Sequence, residues 1–213
     1  MSSAVAMTSA AEVPPAGWLR APEAAVLADI FAEDVQVAVW DRPSPVGQDV
    51  VALACEQRLA VKSWLEISQL EQGILRILPD EQYAAMRDDL FLLADMMACL
   101  FGVAGVGLRV TALRQPMCPR FHVDRIPVRL LCTYGGQGSQ WLPATHVHSQ
   151  LLLPGSDQGS LYPQAGVEQI GAGQVALFKG ETWRDNPGAG VVHRSPPHVS
   201  RSATVAGHSG YLG

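Results

Sequence analysis

The sequence predicts an α+β protein, an N-terminal helical layer packed on a β-core of the sandwich or small-barrel kind. Three observations carry that expectation. Apolar residues recur at helical spacing as far as Phe101, they shorten to strand-length runs beyond Gly102, and those runs are separated by turns rich in Gly and Pro. At 213 residues the chain is long enough to bury a core without a disulfide staple.

Residues 1–20 are read as a disordered tail. Met1 to Gly17 is rich in Ala, Ser and Pro and holds no Lys or Arg, so it lacks the basic start and apolar core of a secretory signal. A single domain is expected over 21–213, helical over 21–102 and β over 103–213. Pro22 to Ala32 has a Pro near its start and apolar Ala25, Leu27, Ile30 and Phe31. Val35 to Trp40 alternates in part, as a strand does, and ends at the turn signal Asp41-Arg42-Pro43. Helical spacing returns in Asp49 to Val61, and again in Trp64 to Leu78 with Leu65, Ile67, Leu70, Ile74 and Ile77. Glu81 to Phe101 repeats Met86, Leu90, Leu93, Met97 and Leu100, with Asp80 and Glu81 placed as cap and first-turn acid. The methionines there read as core filling.

Beyond Gly102 the strand candidates are Gly107 to Leu113, Ile126 to Tyr134, Gln140 to Leu142, Gln150 to Leu153, Gly173 to Phe178, Val191 to His193 and Ser202 to Ala206. On the Ile126 strand, alternation groups Arg129, Leu131 and Thr133 against Leu130, Cys132 and Tyr134. A one-residue slip would exchange the faces, so the sequence leaves open which group points inward.

Composition excludes several functions. Fifteen Lys and Arg against twenty Asp and Glu give a net charge of −5, which argues against binding to nucleic acid or to an anionic membrane. Charged residues are 16% of the chain, below the roughly 25% of an average soluble protein. Yet no apolar run reaches the roughly 18 residues of a membrane span. The nearest, Leu90 to Val103, is interrupted by Asp95. The four cysteines, Cys55, Cys99, Cys118 and Cys132, contain no CxxC pair, and in a chain without a signal they are expected to be reduced. The expected compartment is the cytoplasm.

All six histidines (His122, His146, His148, His193, His198 and His208) lie in the β half. His122 and Asp124 are two apart, so an extended chain points both to one face. A distal His would complete a facial triad of two imidazoles and one carboxylate, leaving coordination positions open for cosubstrate and oxygen. The run Gly173 to Gly180 (GQVALFKG) is followed by Val191-Val192-His193-Arg194-Ser195-Pro196-Pro197, and then by Arg201, whose guanidinium suits a bidentate pair with a small-molecule carboxylate.

This order, HxD, then Gly-x-Val-x-x-Phe, then His-Arg-Ser-Pro, then Arg, resembles the jelly-roll-like double-stranded β-helix of the Fe(II)/2-oxoglutarate-dependent oxygenases. The resemblance covers roughly Val103 to Gly213. It implies His122, Asp124 and His193 as metal ligands and Arg201 as anchor of the 2-oxoglutarate carboxylate, with Arg194 or Arg129 as alternatives. Tyr134 would add a phenol hydrogen bond to that carboxylate if its side chain faces inward. Cys118 to Leu142 (CPRFHVDRIPVRLLCTYGGQGSQWL) also resembles the DUF1826 proteins, a bacterial family of uncharacterised function. Members are often encoded near zinc-homeostasis GTPases, which implies a link to zinc handling.

Two other groupings compete for a metal. His146 and His148 form an HxH pair resembling cupin ligation, whose commoner role is a solvated loop. Cys118 with His122 and a distal His would suit a closed Zn²⁺ site, although a plain thiol is commoner there. Trp141 and Trp183 are placed to line a pocket mouth or simply to pack. The function expected is an Fe(II)- and 2-oxoglutarate-dependent oxygenase acting on a small-molecule or protein substrate. The alternative is a zinc-binding protein of the same fold without oxidative turnover.

Overall fold

The computed structural model describes residues 17–184 and 190–197, together with the backbone of 202–209. Strands β1 (Trp18–Ala21) and β2 (Val37–Trp40) run parallel, with a 3-10 helix over Ala24–Phe31 between them. Helix α1 (Gln48–Glu56), strand β3 (Ala60–Glu66), helix α2 (Leu70–Ile77) and helix α3 (Ala84–Phe101) follow. The rest is β: β4 (Gly105–Leu113), β5 (Val128–Thr133), β6 (Gln140–Leu142), β7 (Glu168–Gln169), β8 (Val175–Lys179), β9 (Val192–Arg194) and β10 (Ser202–Ser209). A seven-stranded sheet has the order β1-β2-β8-β5-β10-β4-β3, and a three-stranded sheet the order β7-β6-β9.

The large sheet separates two cores. On β5, Val128, Leu130, Cys132 and Tyr134 face the helices and pack with Leu177, Leu108 and Val110 against Met86, Leu90 and Met97 of α3. The alternate positions face the small sheet, where Val37, Val39, Leu131, Ala176 and Phe178 meet Trp141, Ile170 and Val191. The period of two along each strand thus sorts residues into a helical core and an inter-sheet core.

The predicted helical half is helical only in part. It donates β1, β2 and β3 to the large sheet, so the helices do not form a separate N-terminal layer. In β3, Val61 and Leu65 pack toward the helices while Lys62 and Trp64 are exposed. The neighbours Trp64 and Leu65, both apolar, disguise that alternation as helical spacing. Trp18, Leu19 and Arg20, expected in the tail, lie in β1, which is secured by its pairing with β2 and by Gln36 N–H donating to the Gly17 carbonyl at 2.7 Å. Helix α1 stops at Glu56, and Arg58 turns the chain with φ +53°. Gln150 to Leu153, expected as a strand, is a turn closed by Leu151 N–H to His148 O and Leu153 N–H to Gln150 O. Asp80 caps as expected, accepting from Gln82 N at 2.9 Å, and Gly102 ends α3 in the left-handed conformation. Among the described residues no helix is long and apolar enough to cross a membrane.

A polar knot ties the helical core to the sheet. Asp89 on α3, 4% exposed, accepts from both terminal nitrogens of Arg42 at 2.6 and 2.7 Å and from the Tyr134 hydroxyl at 2.8 Å. Arg42 also donates through Nε to the Gly173 carbonyl and stacks over Trp40. Removing one member of such a knot leaves a buried charge uncompensated. Asp89→Ala is therefore expected to lose about 3–5 kcal/mol of stability in urea unfolding. Burial also pushes the Cys132 thiol up to about 12. With Cys55 likewise buried and Cys99 and Cys118 exposed, a disulfide reagent at pH 8 is expected to modify the latter two in the folded protein and the former two only after unfolding.

Candidate metal centre

His122 and His193 come together through their backbones. Each donates its N–H to the other's carbonyl at 3.0 Å, an antiparallel bridge that places two residues far apart in sequence directly opposite each other. Their side chains emerge on one face, with ring centroids 4.5 Å apart. Asp124, two residues on, shares that face.

Each imidazole is oriented from behind. His122 Nδ1 lies 3.0 Å from the Arg120 carbonyl and His193 Nδ1 2.9 Å from the Val191 carbonyl. A carbonyl only accepts, so each Nδ1 carries the hydrogen and each Nε2 of the neutral ring keeps a lone pair. Both Nε2 atoms face the carboxylate, His193 at 3.4 Å and His122 at 3.8 Å, and the three groups offer ligand atoms all within 4.8 Å of one another. Burial, then the neighbouring His193, lowers the His122 pKa and favours the neutral ring. Burial alone would raise the Asp124 carboxyl, but the adjacent His193 and the Arg129 guanidinium outweigh it and hold the group far below its usual range. The Arg129 Nε donates to Asp124 Oδ2 at 2.5 Å. Two imidazole nitrogens and a carboxylate oxygen, drawn together on one face, suit a divalent ion of the Fe(II) or Zn²⁺ type.

The triad opens into a cavity of about 150 Å³, also lined by Arg109, Cys118, Leu131, Arg194 and Ser195. Outside the cavity, Phe178 stands edge-on to His193 at 5.4 Å and Trp141 packs on Phe178, so the His193 ring is backed by the inter-sheet core.

Other predicted residues lie elsewhere or play other parts. Tyr134 faces the helices, fully buried, with its hydroxyl given to Asp89; the register of β5 takes it away from the cavity, and the expected hydrogen bond to a cosubstrate is ruled out by that orientation. Arg201 lies outside the described residues. Arg194 donates to Gln140 Oε1 and stacks over Phe121 and Tyr162, so it is engaged in packing. Cys118 lines the cavity, but its thiol does not join the cluster of ligand atoms. His146 sits in a 3-10 turn beside the Gly166 carbonyl, and His148 accepts from Gln150 N; neither belongs to the triad. Trp141 is inter-sheet core, and Trp183 packs with Phe31 and Phe101 on the far side of the large sheet, so neither lines this cavity.

Two supporting residues carry no signal that periodicity or spacing would have raised. Gln158, in a polar loop, is 8% exposed and reaches back to Phe121, accepting its N–H at 2.8 Å and donating to its carbonyl at 2.9 Å. It therefore clamps the backbone immediately before His122. Gly180 ends β8, donates to the Pro127 carbonyl, and precedes Glu181, whose N–H donates to the Asp124 carbonyl. A Cβ at Gly180 would overlap the Ile126 carbonyl oxygen, so only glycine lets the Asp124 loop lie this close.

A family model described as "Protein of unknown function (DUF1826)" matches residues 21–204. No curated protein matches the chain in sequence. Among solved structures, the dioxygenase for auxin oxidation 1 of Arabidopsis thaliana, in binary complex with 2-oxoglutarate, is similar over 92% of each chain with a TM-score of 0.51 at 11% identity. A prolyl-4-hydroxylase of Pseudomonas putida gives 0.45 at 16% identity, over 89% of this chain and 98% of that one. The rice dioxygenase for auxin oxidation gives 0.47 at 13%, over 86% and 76%. The likeness to the Arabidopsis protein is one of fold.

Since Gln158 holds the ligand-bearing segment, Gln158→Ala is expected to weaken binding of a divalent metal by about 10-fold or more, read by competition with a chromogenic chelator, with the circular dichroism spectrum unchanged.

Proposed function

The chain belongs to the DUF1826 family, whose description names no reaction, and we propose that it is a non-haem Fe(II), 2-oxoglutarate-dependent oxygenase built on a jelly-roll-like double-stranded β-helix. The observation that carries this reading is the convergence of His122 Nε2, His193 Nε2 and the Asp124 carboxylate at the wall of a cavity flanked by arginines. The fold shared with a plant dioxygenase supports it.

His122 and His193 would supply neutral nitrogens, their hydrogens held on Nδ1 by backbone carbonyls. Asp124 would supply one oxygen. Arg129 occupies Oδ2, which would leave Oδ1 for the metal, and helps to keep the carboxylate ionised. Three protein ligands would leave room on the metal for cosubstrate and oxygen, and Fe(II) with 2-oxoglutarate would supply the oxidising chemistry there. Phe178 and Trp141 back the His193 ring with apolar surface. We assign Arg201 to the distal carboxylate of 2-oxoglutarate. It immediately precedes Ser202, which pairs in register with Leu113 of the cavity wall.

Mixing the apo-protein with Fe(II) and 2-oxoglutarate under anaerobic conditions is expected to give the visible metal-to-ligand charge-transfer band of the chelate. His193→Ala should abolish the band, and Arg201→Gln should weaken 2-oxoglutarate binding by at least about 10-fold. Absence of the band in a protein that holds Zn²⁺ tightly would overturn the oxygenase reading in favour of zinc binding without turnover.

A further inference from the structure

The face of the large sheet that carries the metal centre extends beyond the small sheet. Register places Arg129 and Leu131 of β5, Gly107 and Arg109 of β4, and Lys62 and Trp64 of β3 on that one face, with the backbone of β10 running between β5 and β4. The inter-sheet core draws on β2, β5 and β8 of the large sheet, and the β4–β3 margin lies outside it.

What that margin presents is chemically specific. Arg109 lines the metal cavity, and among the described residues its guanidinium meets only Thr111, through Nε at 3.3 Å. Lys62 lies opposite it in register and is exposed. Trp64 is 54% exposed, and its indole lies against Gly105 so closely that a Cβ there would come within 2.7 Å of the ring. A bulky aromatic is thus seated on bare backbone with its outer face open. Glu66, the acid of this strand face, lies beyond Trp64, on the side away from Arg109.

Resting on the oxygenase reading, we propose that Arg109, Lys62 and Trp64 form the substrate-recognition strip of the metal cavity, and that it takes a small organic carboxylate bearing a flat apolar ring. The two cations complement the carboxylate and Arg109 can grip it bidentately. The indole offers stacking to the ring. Residues two apart on a strand are separated by roughly 7 Å, which sets the distance from carboxylate to ring at that of a compact aryl acid. Arg109, shared between strip and cavity, brings the bound acid to the edge of the metal centre.

The test uses full-length protein labelled with 5-fluorotryptophan, without metal or 2-oxoglutarate, and follows the ¹⁹F resonance assigned to Trp64 through Trp64→Phe. Titration with 2-naphthoate is expected to shift that resonance saturably. 2-Naphthylmethanol, the uncharged counterpart, should bind about 10-fold more weakly, and Arg109→Gln and Lys62→Gln should each weaken naphthoate to a similar degree. An unmoved Trp64 resonance, equal response to acid and alcohol, or binding that survives both substitutions would overturn the proposal. So would a Trp64 resonance that follows protein concentration instead of naphthoate, since the strip would then be covered by a second copy of the chain. Because no metal is present, failure here leaves the charge-transfer experiment untouched, and a missing charge-transfer band leaves this titration readable.

Discussion

The central strands of the large sheet answer to two different neighbours. On one side lie three helices that demand apolar side chains of matched volume; on the other lie a small sheet and a cavity that needs charge. A strand meets both demands because successive side chains point to opposite faces. β5 shows how tightly this binds the molecule: Leu130 and Cys132 seal the helical core, while Arg129, between the buried Val128 and Leu130, reaches the carboxylate at the metal centre. The helical core thereby fixes the register that presents the site, and the site inherits the rigidity of the core. The knot of Asp89, Arg42 and Tyr134 extends this coupling, pinning α3 to the loop after β2 and to the end of β5.

The metal centre itself is set by backbone rather than by side-chain packing. Two reciprocal hydrogen bonds align His122 with His193, carbonyls of Arg120 and Val191 set the ring orientations, Gln158 pins the preceding residue, and Gly180 admits the Asp124 loop. Main-chain atoms have little freedom once a ladder forms, so the backbone contributes directly to placing the candidate ligands. Electrostatics then divides the labour. Burial favours the neutral His122 ring, whereas the Arg129 and His193 side chains beside Asp124 overcome burial and keep it ionised. One environment treats the two groups differently because burial prevails at His122, whereas the Arg129 guanidinium donates directly to the carboxylate.

Much of this was legible in the sequence where a local rule reaches far enough. The HxD spacing placed two groups on one face, and the strand after Gly173 and the histidine after Val192 were visible as short apolar runs. β5 was readable as an alternating strand, but its orientation was not. Tyr134 and Arg129 belong to opposite faces, and only tertiary contacts decided that Tyr134 turns to Asp89 while Arg129 turns to the cavity. β3 was hidden because Trp64, though apolar, is exposed beside the inward Leu65. β1 was hidden by its shortness and by a partner that comes later in the chain. Gln158 and Gly180 act through contacts with residues far along the chain, for which sequence spacing offers no rule.

The strand order has one more outcome, in the time course of synthesis. β10 follows every other described strand in sequence yet sits between β5 and β4, pairing with both. Until it emerges from the ribosome, the sheet can exist only as two separate ribbons, β1-β2-β8-β5 and β4-β3, each with an unpaired inner edge open to other chains. A strand that joins distant partners is slow to place, since loop closure must precede any reward from pairing. The nascent protein therefore carries a risk of aggregation from the time β8 is made until β10 follows, and loss of β10 would leave the two ribbons without the strand that makes them one sheet.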